Sequence, residues 1–279
     1  MAVIFWGTSF IATKILLEEI SPVTIIIMRL IIASVLLSSI AVITKRDFKI
    51  NLKNHSRILL LALIAVFHLW IQVTGLKYTS ASNTGWIIGT APVFIAIIAF
   101  FFLKEKISLI QTGGILVAMA GLLFLVGKGN PLNIDLVKNK GDLLVLSSAF
   151  TWGVYSVVNK KISLDYSPLM TILYLFLMMT IIITPFNINS QTLTGVIHLS
   201  AIGWVSILFL GLLCSGAAYV IWAYSLREMS SAKVGAFLYF EPFVTVFSAW
   251  IFLSEKITFQ MILSGIIITI GVVMVNRKE

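Results

Sequence analysis

Residues 76–107, LKYTSASNTGWIIGTAPVFIAIIAFFFLKEKI, decide how this chain is organised, because residues 226–257, LREMSSAKVGAFLYFEPFVTVFSAWIFLSEKI, repeat their pattern. Ser80 meets Ser230 at an offset of 230 − 80 = 150 residues, and Pro92 meets Pro242 at the same offset. Both stretches end in Glu-Lys-Ile. Apolar matches arise by chance in so apolar a chain, but an ordered series of serine, proline and glutamate matches indicates an internal repeat.

The repeat continues towards the beginning of each copy, where the offset is 152 − 6 = 146 residues. The matches there are Trp6-Gly7 with Trp152-Gly153, Lys14 with Lys160, Glu19 with Asp165, and Ser21-Pro22 with Ser167-Pro168. A net insertion of four residues in the second copy accounts for the change of offset. We therefore divide the chain into a first repeat at 1–127, a polar linker at 128–142 and a second repeat at 143–279.

The composition requires a lipid environment. Of the 279 residues, 59% are hydrophobic and 11% are charged, and the mean hydropathy is +1.05. A soluble domain carries about 25% charged residues, which this chain cannot supply. In lipid the backbone must satisfy its own hydrogen bonds, so only helices or a closed barrel can cross. The apolar runs are long and continuous rather than alternating, which favours helices.

Ten segments are long and apolar enough to be transmembrane helices, although the first is barely long enough. They are residues 1–17, 23–44, 58–76, 79–103, 107–126, 143–160, 170–186, 202–226, 232–253 and 257–275. Five helices per repeat reverse the direction of the second copy across the membrane. The predicted fold is therefore an all-α integral membrane protein of two inverted five-helix repeats, with a site near the midplane between them.

The basic residues predict the orientation, since loops on the cytoplasmic side carry more lysine and arginine. A cytoplasmic N-terminus places twelve of the 20 on that side: Lys45, Arg46, Lys49, Lys53, Arg57, Lys104, Lys106, Lys160, Lys161, Arg227, Arg277 and Lys278. The outer side receives five, namely Lys77, Lys128, Lys138, Lys140 and Lys256. We expect both termini to be cytoplasmic in a cytoplasmic (inner) membrane. The net charge of +9 then reflects orientation, and no nucleic-acid partner is expected.

At these residues the chain resembles the drug/metabolite transporter superfamily, and within it the EamA-type permeases. The matching pieces are Trp6-Gly7-Thr8-Ser9-Phe10, Ser21-Pro22 with Arg29, residues 75–81 with Pro92, Glu105-Lys106-Ile107-Ser108, the glycines from Gly113 to Gly121, and Leu238-Tyr239-Phe240-Glu241-Pro242. The resemblance implies ten helices that move small metabolites, often amino acids or related compounds, and commonly outward. The first helix is shorter than usual, and Arg29 has no basic match near Leu175.

Glu241 is the only carboxylate well inside a predicted span. A charge there costs about 2.5–3.5 kcal/mol even on a lenient scale, so it needs a partner or a function. Two roles stay open, a proton carrier that is neutral when buried and a structural tie between helices. Pro92 and Pro242 each remove a backbone hydrogen bond and predict helix bends at matching places. These bends either line a cavity or are ordinary kinks.

The predicted cavity is lined from helices 1, 3, 4, 6, 8 and 9, which carry most of the polar and aromatic span residues. Its candidates are Trp6, Ser9, Gln72, Asn83, Trp86, Trp152, Tyr155, Asn159, Tyr219, Trp222, Tyr239 and Glu241. Packing or a position at the membrane interface is the alternative for any single member. Arg29 is assigned to a structural pair or a lipid phosphate, His68 to a hydrogen bond between helices and Lys14 to the outer surface. The small residues of helices 5 and 10 suit packing or a homodimer contact.

The remaining motifs bear on rival classes. The three histidines are far apart in sequence and Cys214 is the single cysteine, so no metal site and no cofactor are expected. Neither a nucleophile elbow nor a phosphate-binding loop occurs, which argues against a serine hydrolase and against direct use of ATP. A small-molecule substrate and the lipid bilayer are the expected partners. An intramembrane enzyme or a membrane scaffold without transport stays as the alternative, and facilitated and ion-coupled transport are both open.

Overall fold

The computed structural model of the protein describes residues 1–48, 55–126, 139–163, 167–185, 187, 190–253 and 258–276. Across these ranges the regular structure is helical. Within the described ranges, six helical stretches are long and apolar enough to cross a membrane: Pro22–Ile43, His55–Lys77, Ala81–Leu103, Lys140–Ile162, Ala201–Glu228 and Ser231–Phe252. Leu109–Phe124, Pro168–Ile183 and Ile262–Asn276 are shorter apolar helices. The chain is thus an all-helical protein with several apolar spans.

Six helices are seen in the described residues of the first half. They are α1 (Ala2–Glu19), α2 (Pro22–Ile43), α3 (His55–Lys77), α4 (Ala81–Ile88), α5 (Ala91–Leu103) and α6 (Leu109–Val126). Helices α4 and α5 form one apolar stretch that is interrupted at Gly89 and Thr90. Pro92 lies in the first turn of α5, where a missing backbone N–H does little harm.

The part of the second half that the structure describes forms eight helices and two segments of other helical geometry. They are α7 (Lys140–Ser163), α8 (Pro168–Ile183), α9 (Ser190–Ile197), α10 (Ala201–Phe209), a π-helical segment (Leu210–Ala217), α11 (Ala218–Glu228), α12 (Ser231–Ala236), a 3-10 segment (Phe237–Phe240), α13 (Glu241–Leu253) and α14 (Phe259–Asn276). The 3-10 segment interrupts the stretch from α12 to α13, directly before Glu241 and Pro242. Subtracting 150 places it at residues 87–90, where α4 gives way to α5.

Matching helices also begin in the same way. Ser21 precedes Pro22 at the start of α2, and its hydroxyl accepts a hydrogen bond from the Thr24 N–H at 3.2 Å. Ser167 precedes Pro168 at the start of α8 and accepts from the Met170 N–H at 3.3 Å. A serine cap followed by proline fixes a helix start, so the sequence match becomes a structural one.

The helices pack in pairs that combine the two halves. Helix α3 packs along α7 and α6 along α14, while α1 packs on α13 and α10 and α7 packs on α5. Glycines permit the closest approaches. A Cβ on Gly7 would lie 2.7 Å from the Val244 Cβ, and one on Gly153 would lie 3.1 Å from the Phe94 Cβ. Phe94 and Val244 differ by 150 residues, so matching residues make matching contacts.

The α6–α14 contact uses the glycines of both helices. A Cβ on Gly114 would lie 2.7 Å from the Gly271 carbonyl oxygen, and one on Gly271 would lie 2.5 Å from the Ala118 backbone nitrogen. The small-residue faces of these helices therefore pack against each other within one chain.

Some predicted boundaries differ from the observed ones. Helix α7 begins at Lys140, inside the predicted linker 128–142, and residues 128–138 of that linker lie outside the described residues. Asp165, Glu255 and Lys256 lie outside them too. Helix α9 was not predicted, because its eight residues, SQTLTGVI, are too few and too polar to form a span. Its position between α8 and α10 adds a short element to the connection between two apolar helices.

Candidate substrate cavity

A small buried cavity lies where α1, α2, α3, α7, α11 and the start of α13 meet. Its volume is about 40 Å³, which is room for a few water molecules, since one water needs roughly 10–15 Å³ of such space. Its walls combine charged, polar and aromatic side chains: Trp6, Ser9, Phe10, Arg29, His68, Leu69, Gln72, Ile88, Trp152, Tyr219 and Glu241. Metabolite sites usually measure about 300–1,000 Å³, so this cavity is contracted.

Arg29 and Glu241 bring a guanidinium group and a carboxyl group to this one cavity. Arg29 is 4% exposed and Glu241 is 3% exposed, although both types of side chain are almost never fully buried without a partner. The Arg29 Nε donates to the Ser215 hydroxyl at 2.8 Å, which leaves further guanidinium N–H groups for other acceptors. Glu241 reaches the cavity from the first residue of α13. The cavity can therefore receive an anionic and a cationic group together.

The π-helical segment Leu210–Ala217 forms hydrogen bonds with two residues of the cavity wall, Trp6 and Arg29. The Cys214 carbonyl oxygen accepts from the Trp6 indole N–H at 2.9 Å, and the Cys214 thiol donates to the Phe5 carbonyl oxygen at 3.3 Å. Ser215, the next residue, holds Arg29. Short π-helical stretches occur frequently at functional sites, because the wider turn re-aims side chains and frees backbone groups. Here the segment fixes both Trp6 and Arg29.

His68 faces the cavity from α3. Its Nδ1 lies 3.0 Å from the Ser148 carbonyl oxygen and 3.3 Å from the Thr151 hydroxyl. A carbonyl oxygen only accepts, so Nδ1 carries the proton and a neutral ring keeps Nε2 as an acceptor. The histidine thereby ties α3 to α7 and adds a polar group to the cavity wall.

Aromatic rings of α1, α7 and α11 form one cluster at the cavity. Trp6 and Trp152, which match in the repeat, meet edge to face with centroids 5.0 Å apart. Tyr155 stacks on Trp152 at 4.9 Å, and Tyr219 and Trp222 lie 5.7 Å and 5.3 Å from Trp6. Aromatic pairs at such separations contribute about 0.5–1.5 kcal/mol beyond their buried area. Three of these rings, those of Trp6, Trp152 and Tyr219, give the cavity an aromatic wall.

A threonine hydroxyl forms hydrogen bonds with the backbone where α13 begins, directly after the 3-10 segment. The Thr245 hydroxyl approaches the carbonyl oxygens of Glu241 at 2.9 Å and of Gly7 at 3.1 Å. It thereby bridges α13 to α1 at the glycine contact described above. Interrupted helices whose ends point at a buried site are typical of transporter binding sites.

The cavity brings together half of the predicted residues, namely Trp6, Ser9, Gln72, Trp152, Tyr219 and Glu241. Tyr155 and Trp222 belong to the aromatic cluster behind it, and Asn159 is buried one turn beyond Tyr155 on α7. The other three predicted side chains lie elsewhere. Asn83 donates to Asp142 at 2.6 Å, Trp86 is half-buried on α4, and the Tyr239 hydroxyl reaches towards the Ile115 carbonyl oxygen at 3.5 Å, beside α6 and α14.

Arg29 and His68 are cavity residues that the sequence assigned to structural roles. A charge eight residues into a span predicts either a surface contact or a buried site, and hydropathy does not separate the two. The sequence does not single out Ser215 as the partner of Arg29, because both spans contain several other serine or threonine residues.

The apolar spans, the interrupted helices and the charged cavity between them define a class, a polytopic membrane protein that encloses a small polar site. The model of the EamA-like transporter family matches residues 1–127 and again residues 139–277. The chain belongs to the EamA-like transporter family, which is part of the drug/metabolite transporter superfamily. Transport, rather than catalysis, is the activity typical of this family.

Curated relatives agree with this assignment. The chain is 30% identical over 274 residues to a Bacillus subtilis protein named uncharacterized transporter YoaV, covering 97% of this chain and 92% of that protein. It is also 30% identical over 283 residues to an Archaeoglobus fulgidus protein named uncharacterized transporter, covering 100% and 96%. A crystal structure superposes with a TM-score of 0.74 at 15% identity, over 99% of this chain and 94% of that one. This likeness establishes the fold alone.

Proposed function

We propose that the protein is a permease for amino acids and similar small zwitterions, and that it exports them across the cytoplasmic membrane by alternating access between two inverted five-helix halves. The observation that carries the substrate class is the presence of both Arg29 and Glu241 in the wall of one buried cavity. An α-carboxylate suits the guanidinium, and an α-ammonium suits the carboxylate. The cavity then contains no net charge when the substrate is bound.

The energetics favour a zwitterion over either ion alone. A substrate with only a carboxylate would leave Glu241 without a cationic partner, and an amine would do the same to Arg29. Truncating one partner of a buried charge pair costs about 2–5 kcal/mol. A zwitterion avoids both penalties, and the ring cluster of Trp6, Trp152 and Tyr219 offers an apolar wall for its side chain.

The contracted cavity supports alternating access. About 40 Å³ cannot hold an amino acid, so substrate entry requires the halves to move apart. Ten spans, inverted halves and a midplane site would provide this motion, since each half can rock around a fixed site. The repeat, the matching helix breaks and the paired glycine contacts support that arrangement. We base the outward direction of transport on the family resemblance. We also propose that two copies of the chain form a homodimer.

Proteoliposomes test the substrate class directly. Labelled amino acids are compared with the corresponding decarboxylated amines and deaminated acids. We expect uptake of the amino acid and at least ten-fold less of either analogue. Arg29→Gln and Glu241→Gln should each weaken the apparent affinity for the amino acid by roughly 30-fold, the equivalent of about 2 kcal/mol. Transport of all three compound types at equal rates would refute a zwitterion site.

Matched controls are available at the end of α11. Arg227→Gln and Glu228→Gln remove the same charges from exposed positions and should leave affinity unchanged. An imposed pH gradient addresses coupling in the same vesicles. If Glu241 carries a proton, Glu241→Gln abolishes acceleration by the gradient but retains exchange, whereas a structural tie leaves the gradient response intact. Turnover of a lipid or peptide by the purified protein, without flux, would favour the intramembrane enzyme instead.

A further inference from the structure

Three side chains form one joint at the end of α7. The Lys160 ammonium lies 2.7 Å from the Glu105 carboxylate, and it also donates to the Met229 carbonyl oxygen at 2.7 Å. The same carboxylate accepts from the Ser231 N–H at 2.7 Å and from the Ser231 hydroxyl at 3.0 Å. The Glu105–Lys160–Ser231 joint therefore combines an ion pair with a helix cap.

The joint connects the two halves of the chain. Glu105 lies in the loop between α5 and α6, Lys160 lies in the last turn of α7, and Ser231 begins the helical stretch Ser231–Phe252. The two charged side chains are only 14% and 15% exposed, so water screens the pair less than it screens a surface pair. The joint holds the ends of three spans together and must break before these ends can separate.

The Ser231–Phe252 stretch belongs to the second half, but its cap is a side chain of the first half, Glu105. In the first half, Ser80 caps its own helix by accepting from the Asn83 N–H at 3.0 Å. Its match Ser230 holds the same N-cap position but makes no such bond, and its hydroxyl oxygen is buried without a partner among the described residues. Glu105 instead caps the helix at its first N–H, that of Ser231. Ser230 is thus a second cap for the same helix end, placed to accept from the Lys233 N–H as Ser80 accepts from the Asn83 N–H.

The joint lies along α7 from the cavity. Trp152 lines the cavity, Tyr155 stacks on it, and Lys160 follows eight residues after Trp152, about 12 Å along the helix. The Tyr155 hydroxyl is also buried without a hydrogen-bond partner in the described part of the chain. A buried polar group without a partner is costly, and an opened pathway would supply water or substrate to it.

A related contact occurs at the opposite face. Lys14, the match of Lys160, donates to the carbonyl oxygens of Leu76 at 2.9 Å and of Thr79 at 2.8 Å. Thr79 is the match of Met229, which accepts from Lys160. The lysine-to-corner contact thus recurs at both ends of the molecule, while Glu255, the match of Glu105, lies outside the described residues.

We propose that the Glu105–Lys160–Ser231 joint is the gate on the face where α1 begins, and that it opens by exchange of a helix cap. In the closed state Glu105 caps the Ser231–Phe252 stretch, and in the open state Ser230 does so. The exchange lowers the free-energy difference between the two states, because the helix end is capped in both. The gate serves the proposed transport function, and Asn159, Ser156 and Tyr155 are buried polar side chains of α7 between it and the cavity.

Thiol accessibility tests the gate without any substrate. Ser156→Cys places a thiol one turn before Lys160, in a Cys214→Ala background that removes the natural thiol. A membrane-impermeant methanethiosulfonate reagent is applied to vesicles of known orientation. We expect slow labelling from the gate face and at least ten-fold faster labelling after Glu105→Gln. Lys160→Met, which keeps the cap, should give a smaller increase, and Lys161→Gln at the exposed neighbouring lysine should give none.

The charge swap separates a cap from a simple ion pair. Glu105→Lys with Lys160→Glu restores opposite charges but directs an ammonium at the Ser231 N–H. Labelling should stay fast in the swap, and slow labelling there would overturn the cap exchange. Monodispersity and thermal midpoint are recorded for each variant, so loss of fold is recognised as such.

The Ser230→Ala substitution removes the hydroxyl that is proposed to cap the helix in the open state. Added to Glu105→Gln, it should slow labelling by about five-fold, since the open state then has no cap. On its own it should leave the thermal midpoint unchanged, whereas Ser80→Ala should lower it. If Glu105→Gln is labelled at the same rate with and without the added Ser230→Ala substitution, the cap exchange is rejected. Flux assays on amino acids test the proposed function separately, so either idea can fail without the other.

Discussion

Glu19 shows how a single exposed side chain links the two halves at the face opposite the gate. Its carboxylate accepts from the Ser200 N–H at 2.8 Å and from the Ser200 hydroxyl at 2.7 Å. Ser200 itself caps α10 by accepting from the Gly203 N–H at 3.0 Å. A glutamate of the first half therefore bonds a helix start of the second half at each face, Glu19 with Ser200 and Glu105 with Ser231.

These bonds give Glu19 a pH-dependent role. The Ser200 N–H bond chiefly, and the Ser200 hydroxyl bond next, lower the pKa of Glu19 below its usual 4.5. A carboxyl group with a lowered folded-state pKa stabilises the fold above its unfolded-state pKa. That contribution disappears as the pH falls through the lower folded-state value.

We therefore expect the difference in thermal midpoint between the natural protein and Glu19→Gln to be constant above about pH 5 and to shrink towards pH 3. Glu18→Gln changes an exposed neighbouring carboxylate and serves as the control. A Glu19→Gln difference that grows on acidification would contradict the assignment.

At the scale of the helical element, the α6–α14 contact can be tested with two adjacent glycines. A Cβ on Gly114 would meet backbone, the Gly271 carbonyl oxygen at 2.7 Å and the Val275 nitrogen at 2.8 Å. A Cβ on Gly113 would meet only the end of the Met274 side chain at 3.6 Å.

Gly114→Ala should lower the stability by about 1–3 kcal/mol, the usual cost of overpacking a close contact. Gly113→Ala should be neutral or gain up to about 1 kcal/mol from the better helix propensity of alanine. Thermal unfolding in detergent measures both. Equal destabilisation by the two substitutions would show that the contact is not set by Gly114.

The helical elements themselves could be predicted from sequence, but their rotation could not. Length and hydropathy mark the apolar spans, and proline and serine mark the starts of α2 and α8. In lipid, however, both faces of a span are apolar, so the pattern contains little information on which side chains point inward. Tyr239 and Trp86 were grouped with the cavity on this basis, yet they lie outside it. The π-helical segment Leu210–Ala217 was invisible for a related reason, since no residue type marks the wider turn.

On the scale of the whole molecule, the repeat explains why contacts recur. The pairs Gly7–Val244 and Gly153–Phe94 match, as do Gly85–Thr245 and Gly235–Ile95. Each member of a pair comes from a different half, so the halves are held together by two copies of one interface. An interface made of two equal copies can loosen at one end while the other end stays closed, which is the motion that alternating access requires.

The orientation of this assembly in the membrane is the remaining prediction, and it decides which face the gate occupies. The loop at 45–57 contains five of the twelve basic residues assigned to the cytoplasmic side, and short loops of this kind dominate orientation. Met1 and Met229 line one cavity of about 630 Å³, so the N-terminus lies at the gate face. If the N-terminus is cytoplasmic, the gate controls access to the cytoplasm and the contact of Glu19 with Ser200 is external.

Arg46→Cys and Lys140→Cys, both at exposed positions at opposite ends of the predicted arrangement, test this in the Cys214→Ala background. An impermeant thiol reagent applied to intact cells should label Lys140→Cys and spare Arg46→Cys, and disrupted cells should show both labelled. Labelling of Arg46→Cys in intact cells would show that the protein has the opposite orientation in the membrane. The Glu105–Lys160–Ser231 joint would then control access from outside.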